Sequence, residues 1–260
     1  MISDFFEIFL LSIIQGVSEF IPVSSTAHLI LASNIYEFKN QSLLIDISLH
    51  LGSLLAILFH FKDDIFNFNK NKNLFYKIII GTLPLIIIGY FLYVTNIIDY
   101  FRNIKVIAWA TLFFGILLYI ADKNKFLKKI DTDFNIKSVL IIGFFQVLAL
   151  IPGVSRAGIT ITAGRILGFD RTDSTKISFY LSIPALLGAS ALGIKDLFKE
   201  NIDFNLLVLI GVFLSFLFSL ITIKIFLKFV KNFSLNVFVV YRIFLAIIFF
   251  ILYIFNFRFI

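Results

Sequence analysis

The stretches Gln15-Gly-Val-Ser-Glu-Phe-Ile-Pro-Val-Ser-Ser-Thr-Ala-His28 and Ala149-Leu-Ile-Pro-Gly-Val-Ser-Arg-Ala-Gly-Ile-Thr160 each place a proline and small or polar residues inside an apolar segment. These segments extend over Asp4 to Ser33 and Ile136 to Gly168. Each is too long for one membrane crossing and too short for two, because one crossing takes about 20 apolar residues. Non-helical backbone at membrane depth is tolerated only inside protein or beside a water-filled cavity. We therefore predict two re-entrant helix hairpins with broken tips inside the membrane.

Six other segments are long and apolar enough to cross a membrane on their own. The chain has 260 residues, of which 60% are hydrophobic and 15% charged, whereas soluble domains have about 25% charged residues. It has no cysteine, which excludes disulfides, thiolate metal sites and a cysteine nucleophile. We predict an all-α polytopic membrane protein with a single transmembrane domain over residues 1–260. The predicted spans are Leu43–Phe61, Leu74–Val94, Ile104–Ala121, Ser174–Ile194, Phe204–Leu227 and Asn236–Phe257.

The distribution of basic residues predicts how the chain threads the membrane. With the link Lys62–Asn73 on the cytoplasmic side, ten Lys and Arg residues lie in or beside the cytoplasmic links and five lie opposite. Cytoplasmic loops carry an excess of Lys and Arg, so we expect this threading, with both termini outside. The first hairpin then enters from outside and the second from the cytoplasm. Most Lys and Arg residues lie in short links between apolar runs, where they set the orientation of the protein in the membrane. The net charge of +7 is explained in this way, and no nucleic-acid partner is expected.

The two halves of the chain echo each other at an offset near 131 residues. Gln15 matches Gln146 and Ser24 matches Ser155 at that offset. The halves, residues 1–121 and 122–260, then hold one hairpin and three spans each. An odd number of spans per half is what an inverted-topology repeat requires, so we predict such a repeat.

The first interruption combines groups suited to acid–base chemistry. Gln15 and Glu19 are four residues apart and share a helix face. Either Ser24 or Ser25 is suited to cap the half-helix that follows, and a helix N-terminus is a ready anion site. His28 follows within one helical turn, close enough to exchange a proton with a serine or with a bound phosphate.

The second interruption supplies a positive charge. Arg156 lies beside the capping position Ser155, and its planar guanidinium suits phosphate oxygens. A charged side chain within a membrane costs about 2.5–3.5 kcal/mol on insertion scales, so we interpret Glu19 and Arg156 as functional. Two half-helix starts, one Arg and a Glu–Ser–His group together predict a phosphoryl-transfer site.

Several of these residues also have structural interpretations. The serines can be caps without a chemical role, and His28 can bond a backbone carbonyl. Other ionisable or polar side chains in apolar runs, His50, Asp46 and Thr82, are interpreted as packing or supporting groups.

At these motifs the sequence resembles the undecaprenyl-diphosphatase (bacitracin-resistance) family. That family has Glu-or-Gln-x-x-x-Glu running into Phe-x-Pro-x-Ser-Ser-x-x-His, and Pro-Gly-x-Ser-Arg-Ser-x-x-Thr. Here these motifs stand at Gln15 to Glu19, Phe20 to His28 and Pro152 to Thr160. The chain takes the Gln alternative at position 15, and Ala157 replaces the usual Ser, which removes a hydroxyl from the phosphate cradle.

The resemblance implies hydrolysis of undecaprenyl diphosphate to the monophosphate, which recycles the lipid carrier of cell-wall synthesis and confers bacitracin resistance. It implies a multi-pass protein of the bacterial plasma (inner) membrane with an extracytoplasmic active site, and a divalent cation, Mg²⁺ or Ca²⁺. Glu19 would be the acid/base or the metal-linked carboxylate, Ser25 or His28 the nucleophile, and Arg156 the diphosphate clamp. The remaining motif positions are expected to bind substrate: Gln15, Ser24, Thr26, Gly153, Ser155 and Thr160.

The expected partners are a polyprenyl diphosphate and membrane lipids, and the sequence leaves a homo-oligomer open. The main alternative function is a transporter or flippase for an anionic or polyprenyl-phosphate substrate, because broken helices in inverted repeats also build transporters. The motifs favour the enzyme, since a Ser-Ser-x-x-His run together with an Arg is more than anion transport needs. The unrelated type-2 phosphatidate phosphatases require a histidine after the Ser-Arg pair, whereas all three histidines here precede Arg156.

Overall fold

The structure, a computed structural model, describes residues 2–36, 42–66, 68–124, 128–197 and 206–255. Within these ranges the chain is helical, and the only β pairing is an isolated bridge between Lys128 and Phe169. Short helices at Lys62–Phe66 and Ile130–Asp133 connect longer ones. The longer helices are α1 (Ile2–Ser18), α2 (Ser25–Tyr36), α3 (Leu43–His60), α4 (Phe68–Val94), α5 (Ile104–Asp122), α6 (Ile136–Val147), α7 (Arg156–Ile166), α8 (Arg171–Leu197), α9 (Leu206–Asn232) and α10 (Asn236–Ile254).

Six of these helices, α3, α4, α5, α8, α9 and α10, are long and apolar enough to cross a membrane. The predicted all-α polytopic fold and its six spans are thus confirmed, while the predicted ends at Phe204 and Phe257 lie outside the described residues. Large apolar side chains point outward from these helices: Ile87, Leu209 and Val240 are 65%, 64% and 67% exposed. Such a surface is suited to lipid, where apolar groups need no burial in protein.

Helix packing interleaves the two halves of the chain. The helices α3 and α8 pack together, as do α5 and α10, and α1 packs on α9 as α6 packs on α4. The contact of α4 with α6 requires glycine, because a Cβ at Gly143 would collide with the carbonyl oxygen of Gly81. Each of these pairings agrees with the predicted inverted-topology repeat, which itself stays a prediction.

Both predicted interruptions are breaks between helices. Residues 19–24 separate α1 from α2, and residues 148–155, which begin with a 3₁₀ turn, separate α6 from α7. The last residue of each break, Ser24 or Ser155, has a positive φ, of 78° and 71° respectively. Non-glycine residues rarely adopt this conformation, which costs about 1–3 kcal/mol. The broken helices are therefore observed, and their re-entrant placement in a membrane stays a prediction.

A buried carboxylate joins several helix ends at the side predicted to be cytoplasmic. Asp122, at the end of α5, accepts hydrogen bonds from Arg171 Nε at 2.8 Å and Nη2 at 3.0 Å. It also pairs with Arg165 Nε at 3.2 Å and accepts a hydrogen bond from the Leu235 N–H at 3.1 Å. Because these partners belong to the last turn of α7, to the start of α8 and to the residue before α10, Asp122 joins these helix ends to the end of α5.

The predicted threading rests partly on basic residues in the links. Four of them, Lys39, Lys125, Lys199 and Arg258, lie outside the described residues. The threading therefore stays a prediction.

Candidate active site

The two helix breaks meet at one cavity of about 190 Å³. Glu19 and Ser25 line it from the first break and from the start of α2, and Ser155 and Arg156 line it from the second break and the start of α7. Residues of α3, α4 and α8 complete the wall. Tertiary packing thus brings together charged and hydroxyl groups that the sequence places in separate halves.

Glu19 and Arg156 form a buried ion pair across the two breaks. Arg156 Nη2 lies 2.9 Å from Glu19 Oε1, and the two side chains are 12% and 7% exposed. Arg156 also donates to the carbonyl oxygens of Glu19, at 3.3 Å, and of Ser178, at 3.1 Å. Removal of ions from water is costly unless partners replace the lost hydration. These contacts therefore hold the guanidinium charge beside the cavity.

The second carboxylate oxygen of Glu19 holds a hydroxyl group. Ser25 Oγ donates to Glu19 Oε2 at 2.8 Å, and Gln15 Nε2 donates to the same oxygen at 3.1 Å. A serine hydroxyl bonded to a carboxylate is arranged for proton transfer. The geometry therefore suits Ser25 as a nucleophile with Glu19 as its base.

Two helix N-termini begin at the cavity. Ser24 Oγ accepts a hydrogen bond from the Ala27 N–H at 3.4 Å, and Ser155 Oγ accepts one from the Gly158 N–H at 3.1 Å. Both serines therefore act as helix caps, which is the structural interpretation that the sequence analysis gave for them. Thr26, in the first turn of α2, also lines the cavity. A helix N-terminus carries about half a positive charge, so the starts of α2 and α7 both favour an anion there.

His28 does not line the cavity that holds Glu19 and Ser25. Its Nδ1 lies 2.7 Å from the Ser24 carbonyl oxygen, and its Nε2 lies 2.5 Å from the hydroxyl of Tyr241. Its ring lines a separate, mainly apolar cavity of about 400 Å³ between α1 and α10. The structure thus places Ser25, and not His28, beside the carboxylate.

Gly153 and Thr160 are packed inside the protein and do not line the cavity. Gly153 has a φ of 94°, and a Cβ there would lie 2.6 Å from the Ile107 carbonyl oxygen, so both conformation and space require glycine. Thr160 Oγ1 lies 2.8 Å from the Arg156 carbonyl oxygen and 2.7 Å from Ser178 Oγ. Both residues support the second break, and their contact with substrate stays a prediction.

His50, which the sequence analysis interpreted as a packing or supporting group, lines the cavity. Its Nδ1 lies 2.8 Å from the Asp46 carbonyl oxygen one turn earlier in α3. Together with Thr26 it also lines a neighbouring chamber of about 520 Å³, which has Arg102 on its wall. No local pattern marks this histidine, because it sits in a regular apolar helix. Only the packing of α3 against the breaks reveals its position.

The site offers two oxygen atoms to a divalent cation. Across the described ranges, no group of three or more His, Asp or Glu side chains is arranged to hold a metal ion. Gln15 Oε1 is buried and has no hydrogen-bond partner among the described residues, and the other end of its amide contacts Glu19. Mg²⁺ is often held by one or two carboxylates together with substrate phosphates. Glu19 lines the cavity and Gln15 does not, so a cation there would be held by Glu19 and the substrate phosphates, with Gln15 acting through its hydrogen bond to Glu19.

Six long apolar helices, together with a cavity lined by paired charges, a hydroxyl and two helix starts, define an integral-membrane protein with a site for a phosphorylated ligand. The chain belongs to the family described as bacitracin resistance protein BacA, whose profile matches residues 8–248. The resemblance found in the two motifs is thereby confirmed.

Similar proteins from several bacteria share nearly the whole chain. An undecaprenyl-diphosphatase of Pelagibacter ubique (strain HTCC1062) is 54% identical over 240 residues, which cover 92% of this chain and 94% of that protein. An undecaprenyl-diphosphatase of Elusimicrobium minutum (strain Pei191) is 40% identical over 88% of this chain and 91% of its own length. One from Alteromonas mediterranea is 39% identical, with coverages of 90% and 93%.

Proposed function

We propose that this chain hydrolyses undecaprenyl diphosphate to undecaprenyl phosphate and inorganic phosphate. The contact of Ser25, Glu19 and Arg156 in one cavity carries the proposal. The names of the similar proteins identify the substrate. Hydrolysis would return the lipid carrier to cell-wall synthesis and lower sensitivity to bacitracin, the property for which the family is named.

The first chemical step is transfer of the terminal phosphoryl group to Ser25. Glu19 takes the hydroxyl proton through the 2.8 Å hydrogen bond while Ser25 Oγ forms a bond to the terminal phosphorus. The bond between that phosphorus and the bridging oxygen breaks, and undecaprenyl phosphate leaves with the bridging oxygen. Water then attacks the phosphoserine, inorganic phosphate departs, and the Ser25 oxygen recovers a proton from Glu19.

Fixed positive groups stabilise the negative charge in this transition state. Arg156 and the N-termini of α2 and α7 already point to the cavity before substrate arrives, so little reorganisation is needed during the reaction. His50, on the wall shared by the cavity and the larger chamber, is placed to hydrogen bond the phosphate groups that pass between them.

A divalent cation, Mg²⁺ or Ca²⁺, would be held by Glu19 together with the diphosphate, and Gln15 would orient the carboxylate through its hydrogen bond. When bound, such an ion neutralises phosphate charge and orients the leaving group. Gln15 carries no charge, so Glu19 is the one carboxylate of this pair that can attract a cation. We therefore expect the cation to bind more weakly to this protein alone than to its complex with diphosphate.

The substrate would be divided between lipid and protein. Its prenyl chain stays among the apolar helices, and its diphosphate enters the cavity from the chamber lined by Arg102 and His50. The predicted threading puts this chamber at the outer end of the spans. We propose that the protein lies in the bacterial plasma membrane and acts at its extracytoplasmic side.

The proposal is tested by phosphate release from undecaprenyl diphosphate by the purified protein in detergent, with and without a chelator. Ser25→Ala and Glu19→Gln are each expected to lower kcat about 10²- to 10⁴-fold, because the nucleophile or its base is lost. The matched control is His60→Gln at the far end of α3, a residue outside the cavity wall, which is expected to keep the parent rate. Parent-level activity in Ser25→Ala or Glu19→Gln would refute the mechanism. A parent protein that releases no phosphate in Mg²⁺ or Ca²⁺ would refute the function and favour the transporter alternative.

A further inference from the structure

An arginine in the last transmembrane helix lies against both broken tips without lining the cavity. Arg242, on α10, is 0% exposed. A charged side chain within a membrane costs about 2.5–3.5 kcal/mol on insertion scales, so its retention calls for a specific set of partners. Two glycines make room for it: a Cβ at Gly158 would lie 2.9 Å from its Nη1, and one at Gly115 would lie 3.2 Å from its Cβ.

The hydrogen bonds of Arg242 all go to backbone carbonyl oxygens. Nη1 donates to Pro22 at 3.3 Å and to Val154 at 2.9 Å, and Nη2 donates to Gly153 at 2.9 Å. Nε donates to Thr111, on α5, at 3.2 Å. Among the described residues no acidic side chain pairs with this guanidinium.

Three of these carbonyls, those of Pro22, Gly153 and Val154, belong to residues that the breaks remove from regular helix. A buried carbonyl without a donor costs about 1–3 kcal/mol, and one guanidinium satisfies carbonyls from both breaks at once. Pro22 lies two residues before the cap Ser24, and Gly153 lies two residues before the cap Ser155. Arg242 therefore ties one helix start to the other, in addition to the contacts of Arg156 with Glu19. A lysine carries one nitrogen and three N–H groups, so it cannot reproduce the four contacts made by the planar fork.

We propose that Arg242 is a positioning residue for the reaction: it holds the starts of α2 and α7 at the spacing at which Ser25, Glu19 and Arg156 act on one phosphoryl group. The inference rests on the proposed phosphatase function. The positive charge of Arg242 has no acidic partner within the described part of the chain, so Arg242 also adds to the positive potential that attracts a diphosphate.

The kinetic test compares Arg242→Lys with Arg165→Lys. Arg165 is equally buried, at 1% exposure, and also donates to backbone carbonyls, of Phe169, Asp122 and Asn124. It lies in the last turn of α7 and does not line the cavity. A misplacement of about 1 Å can cost about 100-fold in rate, so Arg242→Lys is expected to lower kcat by about that factor in the protein that stays folded. Arg165→Lys is expected to lower the melting temperature about as much as Arg242→Lys does. It is expected to keep kcat within about twofold of the parent value, because the contacts of Arg165 do not set the reacting geometry. Equal kcat in Arg242→Lys and the parent, or an equal loss in both variants, would overturn the proposal.

A second measurement does not depend on catalysis. The chain has no cysteine, so cysteines introduced at the exposed positions Tyr36, at the end of α2, and Ile166, at the end of α7, can carry spin labels. We expect one narrow distance distribution in the otherwise unchanged protein and a shifted or broadened one with Arg242→Lys. An identical distribution would overturn the positioning role even if the protein proves to be a phosphatase. A changed distribution in a protein that releases no phosphate would support the positioning of the two helix starts while refuting the proposed function.

Discussion

The ion pair between Glu19 and Arg156 gives the sharpest test of the site, through a double-mutant cycle of Glu19→Gln and Arg156→Met. The two charged groups lie 2.9 Å apart and are 7% and 12% exposed. Glu19→Gln keeps the size of the side chain but leaves the Arg156 cation buried without its anion. Arg156→Met keeps much of the packing volume but leaves the carboxylate with only the neutral donors Ser25 and Gln15.

The magnitude follows from the burial of both partners. Breaking a buried pair by removing one partner costs about 3–5 kcal/mol, whereas replacing both partners by neutral groups is often close to neutral. For a chain of this size 1 kcal/mol corresponds to about 2–4 °C, so each single variant is expected to melt about 6–20 °C below the parent. The double variant is expected to melt above both single variants, although it removes more of the native site.

The assay is heating in detergent, with the folded fraction followed by size-exclusion chromatography and circular dichroism. All three variants are expected to be inactive. The double variant should therefore regain stability without regaining activity. If the losses of the two single variants simply add in the double variant, the two groups are not coupled. In that case the inference that they form one buried site is refuted.

Three further outcomes follow from the structure. Asp122→Ala is expected to cost about 3–5 kcal/mol, because Arg165 and Arg171 lose their common buried anion; a melting temperature equal to the parent's would contradict this. Gly153→Ala is expected to abolish folding or activity, because a Cβ would lie 2.6 Å from a backbone oxygen at a φ of 94°; an active, stable variant would contradict it. Burial works to raise the pKa of Asp170, but the backbone N–H of Asp173 and the ammonium of Lys129 outweigh it and hold the pKa below the ordinary value of 3.8. A lowered carboxylate pKa contributes stability that is present above the ordinary value and lost as the pH falls through the folded one. Asp170→Asn is therefore expected to be less stable than the parent at neutral pH, and the difference is expected to disappear only once the pH has fallen below the lowered folded pKa of Asp170; a pH-independent difference would argue against the charge.

Much of the fold can be predicted from local properties of the chain. An apolar run of about 20 residues specifies a membrane span almost by itself, because a backbone without water must satisfy its own hydrogen bonds. For the same reason Pro22 and Pro152, with the small and polar residues after them, indicate where helices break. The serine caps also follow from local rules, since Ser24 and Ser155 bond N–H groups three residues ahead.

Part of the site could not be predicted in this way. His28 shares a short motif with Ser25, yet its ring turns towards Tyr241, 213 positions further along the chain. His50 and Arg242 belong to regular apolar helices, and nothing in their immediate neighbours distinguishes them from residues that only pack. Which face such a helix presents to the breaks depends on every contact along its length.

The amino-acid sequence alone determined that this chain is a bundle of membrane helices with two helix breaks, one carrying a carboxylate and the other followed directly by a guanidinium. Tertiary structure alone decided that the carboxylate and the guanidinium, 137 positions apart, touch in one cavity, that a serine and not a histidine lies beside the carboxylate, and that a third helix fastens both breaks. The physical reason is the difference in sequence range between the interactions that form helices and those that pack them. Helix formation and breaking depend on hydrogen bonds within a few residues, whereas the rotation and spacing of helices depend on close packing between segments that are remote in sequence.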